Sequence, residues 1–137
     1  MTNSTQFSAL ICATLGAFFI VSCAAKKPAP DPIQNLKATE VSEALKKDDT
    51  IVVLDIRTPA EYAEGHLAGA KNIDFKAEDF EAKIGELDSG KAYVVHCKSG
   101  GRSSLSMQKF SAKGFTHILH MNDGYLGWTE AKLPVEK

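Results

Sequence analysis

No charged side chain occurs before Lys26, so the first 25 residues carry none of the ionic groups that help to solvate a globular surface. Cysteine is scarce: Cys12, Cys23 and Cys97 are the only three, and no Cys-x-x-Cys pair is present. That absence excludes dithiol–disulfide exchange of the oxidoreductase type. Two of the three cysteines fall in the uncharged start, which leaves the rest of the chain one thiol and no partner for an internal disulfide. Neither sign of charge dominates, with 16 Lys and Arg against 17 Asp and Glu. Binding a nucleic-acid backbone requires a concentrated basic face, so no nucleic-acid partner is expected, and any anion must be held locally at a site. Four scattered histidines and one core thiol offer no metal-ligand cluster. No cofactor is expected, and neither an internal repeat nor a low-complexity tract interrupts the chain.

Phe7 to Ala25 is almost continuously apolar (FSALICATLGAFFIVSCAA) and gives way abruptly to KKPAPDPIQN. Such a stretch is either a signal sequence or a membrane span. Ile20-Val21-Ser22-Cys23 resembles a bacterial lipobox. The resemblance implies that residues 1–22 are removed and that Cys23 is acylated. Buried acyl chains, at about 0.8 kcal/mol per CH₂, would hold the protein on a bilayer. Pro28, Pro30 and Pro32 favour an extended spacer over residues 23–35. The expected location is the periplasmic side of a bacterial membrane, with a lipid anchor. Signal sequences usually begin with basic residues, and none precedes Lys26 here. An uncleaved helix therefore stays open, with Lys26 and Lys27 favouring a cytoplasmic side for the remainder of the chain.

From about residue 36 the pattern changes to one of short alternating elements. Thr39–Lys47 places Val41, Ala44 and Leu45 on one helical face. Ile51-Val52-Val53-Leu54, ending at Asp55, suits a buried central strand. Pro59 opens a short helix halted by Gly65. Residues 70–75 form a weak strand candidate, and 78–87 a helix with Phe80, Ile84 and Leu87 at its spacing. Tyr93–His96 is a second buried strand, Ser103–Lys113 a helix stopped by Gly114, Thr116–Met121 a strand, and Leu126–Lys132 a last helix. The alternation predicts an α/β fold: a mostly parallel sheet with helices on both faces, in one domain over residues 36–137.

YVVHCKSGGRSS is the most informative stretch. Cys97 follows a buried strand at its carboxyl end, where open α/β sheets bind ligands. Gly100 and Gly101 let the backbone curl so that successive N–H groups point inward, and the helix predicted from Ser103 adds free N–H groups and the positive end of its dipole. Lys98 and Arg102 add formal charge. All of these favour a thiolate, the reactive form of the group. A lone cysteine at a strand end is ordinarily a small buried hydrophobe; the glycine-rich loop and flanking cations argue for chemistry instead.

Cys97-Lys98-Ser99-Gly100-Gly101-Arg102-Ser103 resembles the active-site loop of rhodanese (thiosulfate sulfurtransferase) domains. Asp55-Ile56-Arg57-Thr58-Pro59-Ala60-Glu61-Tyr62 with Gly65-His66-Leu67-Ala68-Gly69-Ala70-Lys71-Asn72-Ile73 resembles a second signature of that family. Gly124-Tyr125-Leu126-Gly127-Trp128 resembles its C-terminal segment, with Asp123-Gly124 where paired glycines are usual. The resemblance spans residues 36–134 and implies a central five-stranded sheet. It also implies a mechanism in which the Cys97 thiolate takes the outer sulfur of thiosulfate as a persulfide and passes it to cyanide or a thiol. Residues 98–103 would cradle the persulfide, and Lys98 and Arg102 would bind the anionic donor. For Arg57 and Glu61 an ion-pair network that fixes the loops is the favoured role. Asp55 stands between that role and direct participation. His66 orders a turn, His96 is a weak candidate base whose side chain should point away from Cys97, and Trp128 is core. A monomer is expected. Two rivals remain: a persulfide carrier or interaction module of the same fold, and a cysteine phosphatase or arsenate reductase. The last needs five residues between Cys and Arg, where this chain has four.

Overall fold

The structure is a computed structural model, and it describes residues 31–137. Residues 1–22 and Cys23, with the readings attached to them, lie outside the described residues. Among the described residues no helix is long and apolar enough to cross a membrane.

Twelve elements succeed one another: β1 (Ile33–Leu36), α1 (Ala38–Lys47), β2 (Val52–Asp55), α2 (Pro59–Glu64), β3 (His66–Leu67), β4 (Lys71–Asn72), α3 (Phe80–Gly85), β5 (Tyr93–His96), α4 (Gly101–Ala112), β6 (Ile118–Met121), α5 (Gly124–Glu130) and β7 (Val135–Glu136). Five strands make one sheet in the order β1-β6-β5-β2-β4, and every pairing in it is parallel. Parallel strands need crossovers, and the crossovers here carry helices onto both faces, as the alternating pattern predicts. The small β3–β7 pair is antiparallel and stands apart.

The pleat divides the core in two. Leu54, Val95 and Ile118 pack with Phe80, Ile84, Met107 and Phe110 of α3 and α4. Val53, Val94 and Met121 pack with Ala38, Val41 and Trp128 of α1 and α5. Adjacent residues of one strand thus belong to opposite layers, as a period of two requires. Phe110 is fully buried, edge-on to Phe115 at 5.1 Å between ring centres, and each such aromatic adds about 1.5–3 kcal/mol by burial. Gly114 at φ 79 ends α4 and lets the chain return Phe115 to that contact.

Element boundaries differ from the sequence reading in a few places. β1 takes residues 33–35 from the stretch read as spacer; with Gln34 and Asn35 in a four-residue strand, its extended state comes from pairing with β6 rather than from its own pattern. α4 starts at Gly101 instead of Ser103, because Gly100 at φ 94 supplies the left-handed turn into it. The last helix runs Gly124–Glu130 in place of Leu126–Lys132, since its first N–H groups are satisfied by the loop after β5. Only Lys71 and Asn72 of the 70–75 stretch pair as a strand, against the end of β2.

Candidate active site

β5 stops at His96, and the chain curls at the carboxyl end of the sheet into the loop Cys97–Gly100 that leads to α4. Loop amides aim inward only if their carbonyls are satisfied elsewhere. The N–H of Tyr125 donates to the Cys97 carbonyl (2.9 Å) and that of Leu126 to the Lys98 carbonyl (2.9 Å), so the start of α5 holds both carbonyls outward. Two glycines make the close approach sterically feasible. A Cβ on Gly100 would overlap the Asn122 carbonyl oxygen, and one on Gly124 would sit 2.6 Å from the Lys98 oxygen and 2.8 Å from the Cys97 oxygen. Both glycines also have positive φ, 94 and 62.

The Cys97 sulfur lies inside this curl and is 1% exposed at the residue level. Gly100 N–H donates to it over 3.1 Å, and the Ser103 hydroxyl lies 3.5 Å away. Burial pushes the thiol up. The Ser103 hydroxyl and the N–H groups of Ser103, Ser99 and Gly100 outweigh that effect and bring it below its ordinary value. Main-chain donors and one hydroxyl therefore achieve the anionic bias.

The two cations of the loop have different fates. Lys98 is exposed at the rim, as is Ser99. Arg102 is paired: its two terminal nitrogens bond both oxygens of Glu61 at 2.8 Å each. Arg102 beside Glu61 holds that carboxyl down from 4.5 to about 2, with burial opposing and the Thr58 N–H and hydroxyl assisting. A carboxyl lowered in the folded state stabilises the fold above its ordinary range and loses that effect only as pH falls towards 2. The fork joins α2 to α4 at all ordinary pH values, so Arg102 is not the free cation that the loop sequence suggests.

Asp55 and Arg57 form a buried pair, 0% and 3% exposed. Arg57 Nη2 reaches Asp55 Oδ2 at 2.6 Å and the Gly65 carbonyl at 2.7 Å, and the guanidinium lies 4.0 Å over the Tyr125 ring. Asn72 spans the carbonyls of Asp55 and Arg57. This network ties β2, the β3 turn and α5 together beneath the loop. His66, expected to order a turn, lies instead in β3 paired with β7, and its ring stacks on Tyr62 at 3.8 Å. His96 lies on the Asp55 side of the sheet. A ring nitrogen facing a carbonyl must carry a hydrogen, so its Nδ1 donates to the Cys97 carbonyl (3.0 Å). Its Nε2 has no partner and sits 3.8 Å from Asp55. Burial keeps this ring neutral despite Asp55, and it makes no bond to the sulfur.

Three contributors have no role assigned from the sequence: Tyr125 and Asp123 stand only in the C-terminal motif, and His120 stands in none. Tyr125 serves by its main-chain N–H and its ring. Asp123, standing where a glycine is usual, accepts from the Ala38 N–H at 3.0 Å and so joins α5 to the start of α1. His120 bonds Ser103, with Nε2 2.8 Å from its hydroxyl oxygen.

The chain matches the model of the rhodanese-like domain over residues 37–131. The chain belongs to the rhodanese-like family. Among solved structures it resembles a rhodanese-related protein of Thermoplasma volcanium, with a TM-score of 0.66 and 29% identity over 75% of this chain and 97% of that one. It is 24% identical over 103 residues to a protein of Allochromatium vinosum named sulfurtransferase, covering 75% of this chain and 94% of that one. It is 32% identical over 96 residues to thiosulfate sulfurtransferase 16 of Arabidopsis thaliana, covering 61% and 78%. The match spans 55% of the length of an uncharacterized Synechocystis protein, at 27% identity. Rhodanese-like membership and relatives named as sulfurtransferases support sulfur transfer in general.

Proposed function

We propose that this rhodanese-like protein moves sulfane sulfur from thiosulfate, or from a persulfide or polysulfide, through a persulfide on Cys97 to cyanide or a thiol. The Cys97 thiolate attacks the outer sulfur of thiosulfate, a new S–S bond forms, and the old one breaks with its electron pair leaving on sulfite. The acceptor then attacks the outer sulfur of the persulfide and returns Cys97 as a thiolate. Two half-reactions through a covalent intermediate give ping-pong kinetics. The observation that carries the reading is the sulfur held by the Gly100 N–H at 3.1 Å, inside a loop whose carbonyls are drawn away by α5. Donors fixed in place before the anion forms stabilise it with little rearrangement. The deciding experiment is intact mass after exposure to thiosulfate. A gain of one sulfur atom, removed by cyanide with release of thiocyanate, is expected; a protein that gains nothing from thiosulfate, persulfides or polysulfides rejects the reading.

The Glu61–Arg102 fork gives this reading a signed prediction. Thiosulfate must compete with Glu61 for the guanidinium. Arg102→Ala should raise the thiosulfate KM about tenfold, while Glu61→Gln, which frees the guanidinium, should lower it. Equal KM values for both variants and the parent would remove Arg102 from donor recognition.

We also place the protein on the periplasmic side of a bacterial membrane, held through an acylated Cys23. The support is the apolar run to Ala25 and the Ile20–Cys23 pattern. Cys23→Ser in the full chain should yield an unacylated precursor of greater mass than the processed protein. Identical size and membrane extraction for both chains would favour an uncleaved helix instead.

A further inference from the structure

His120 is a buried titratable side chain, 2% exposed, with no part in the two half-reactions at Cys97. Strand register explains its surroundings. Asn35 of β1 and Val95 of β5 are its partners across the sheet. His120 shares the α4-facing side with Ile118, two residues earlier in the strand. Its Nδ1 meets Asn35 Oδ1 at 2.7 Å, and its Nε2 meets the Ser103 hydroxyl at 2.8 Å. Ser103 in turn touches Cys97. Four side chains from β1, β6, α4 and the loop thus form one line ending at the sulfur.

The hydrogens along this line are constrained. The Asn35 oxygen only accepts, so Nδ1 carries a hydrogen and a neutral ring offers Nε2 as an acceptor. Ser103 has a single hydroxyl hydrogen and three acceptors around it: His120 Nε2 at 2.8 Å, the Gly100 carbonyl at 3.1 Å and Cys97 sulfur at 3.5 Å. With the ring neutral, the hydrogen goes to Nε2, and the Ser103 oxygen turns a lone pair to an S–H. With Nε2 protonated the direction reverses: Nε2–H donates to Ser103, whose hydroxyl hydrogen swings to a thiolate. The line suits thiol with imidazole, or thiolate with imidazolium.

We infer that His120, acting through Ser103 and held in one tautomer by Asn35, accepts the Cys97 proton and thereby activates the thiol. The inference rests on the reading of Cys97 as the nucleophile. The S–H bond breaks and leaves its electron pair on sulfur. Its proton joins the Ser103 oxygen while the hydroxyl hydrogen passes to Nε2, so the net charge of the line is unchanged. Cys97 is only 1% exposed, so little water stands at hand to take its proton, and an internal acceptor fits that setting. Ser103 touches the reacting atom; His120 is a positioning residue behind it. Competing charges on the packed elements are engaged elsewhere. On β5, His96 bonds the Cys97 carbonyl; on α4, Arg102 pairs with Glu61 and Lys109 with Glu81; on α1, Glu43 pairs with Lys46, Glu40 accepts from the Lys37 N–H, and Lys47 is exposed; β1 carries no charge. Burial alone lowers the proton affinity of His120, so in this inference its charged form arises only together with the thiolate.

The test is the pH profile of Cys97 alkylation by iodoacetamide in the full chain and in His120→Gln. Near pH 7 and below, the variant should react about tenfold more slowly, and the two profiles should converge at alkaline pH, where an ordinary thiol ionises unaided. Loss by one constant factor at every pH marks a merely structural role and overturns the inference. If the variant does not fold, the His120 imidazole is titrated by NMR in the parent and in Cys97→Ser. Its pKa should fall when the thiolate partner is gone, because coupling is reciprocal; an unchanged value overturns the inference. Sulfur loading from thiosulfate is read separately by mass. Loading without the pH-dependent defect removes the His120 role alone, and the defect without loading removes sulfur transfer alone.

Discussion

Cys97→Ser should abolish thiocyanate formation from thiosulfate and cyanide, with a loss of at least about a thousandfold. The expected loss is this large because each half-reaction passes through the same atom. A serine oxygen in the same loop would meet the Gly100 N–H and the Ser103 hydroxyl. It ionises far less readily than a thiol, however, and cannot form a disulfide-type bond to the donor sulfur. The variant should remain folded, since the substitution keeps the side chain small and its hydrogen-bond partners in place. Rate and intact mass are measured together, with thermal melting as the control for folding. Turnover retained in a folded Cys97→Ser protein would reject Cys97 as the nucleophile.

Arg57→Ala should be the most damaging substitution for stability. It leaves the Asp55 carboxylate at 0% exposure with only the main-chain N–H of residue 57 as a donor, and it also strips a donor from the Gly65 carbonyl and a cation from the Tyr125 ring. Removing one partner of a buried pair costs about 3–5 kcal/mol, because the remaining charge stays desolvated. Against a total of about 5–15 kcal/mol that is a large fraction, and for a domain of this size it lowers Tm on the order of 15 °C. Thermal melting checks it. Lysine should restore little, since it cannot offer the guanidinium fork that meets both Asp55 and Gly65. A Tm change no larger than that of an exposed pair such as Lys46–Glu43 would mean that Asp55 finds another donor. The Glu61–Arg102 fork, about a fifth to a quarter exposed, falls between these cases, and its interest lies in donor recognition.

The two signatures differ in how far a linear reading can reach. Cys97 to Ser103 is a local object: strand end, two glycines and helix start lie within seven residues, so its shape follows from neighbouring backbone preferences. Asp55 and Arg57 are also local, two residues apart and bonded to each other. Their hold on Tyr125 is not, because that contact closes only when α5 packs against the loop. Arg102 makes the point most directly. Its sequence neighbours suggest a free cation, whereas its partner Glu61 lies 41 positions away. Sequence distance hides such a pairing, and only the packing of α2 against α4 creates it.

Alternating periodicity and one glycine-rich turn were enough, read along the chain, to specify a parallel α/β layer structure and to put a lone sulfur at the carboxyl end of its sheet. These features depend on residues within one or two turns of each other. Tertiary structure alone decided what surrounds that sulfur. Asn35 and His120 become neighbours because β1 pairs with β6 in one register, and the pleat then turns both toward Ser103. The loop carbonyls are held outward because α5, more than twenty residues on, ends its own free N–H groups on them. Strand pairing and helix-end satisfaction act between distant segments, so their outcome is settled only when the chain closes on itself.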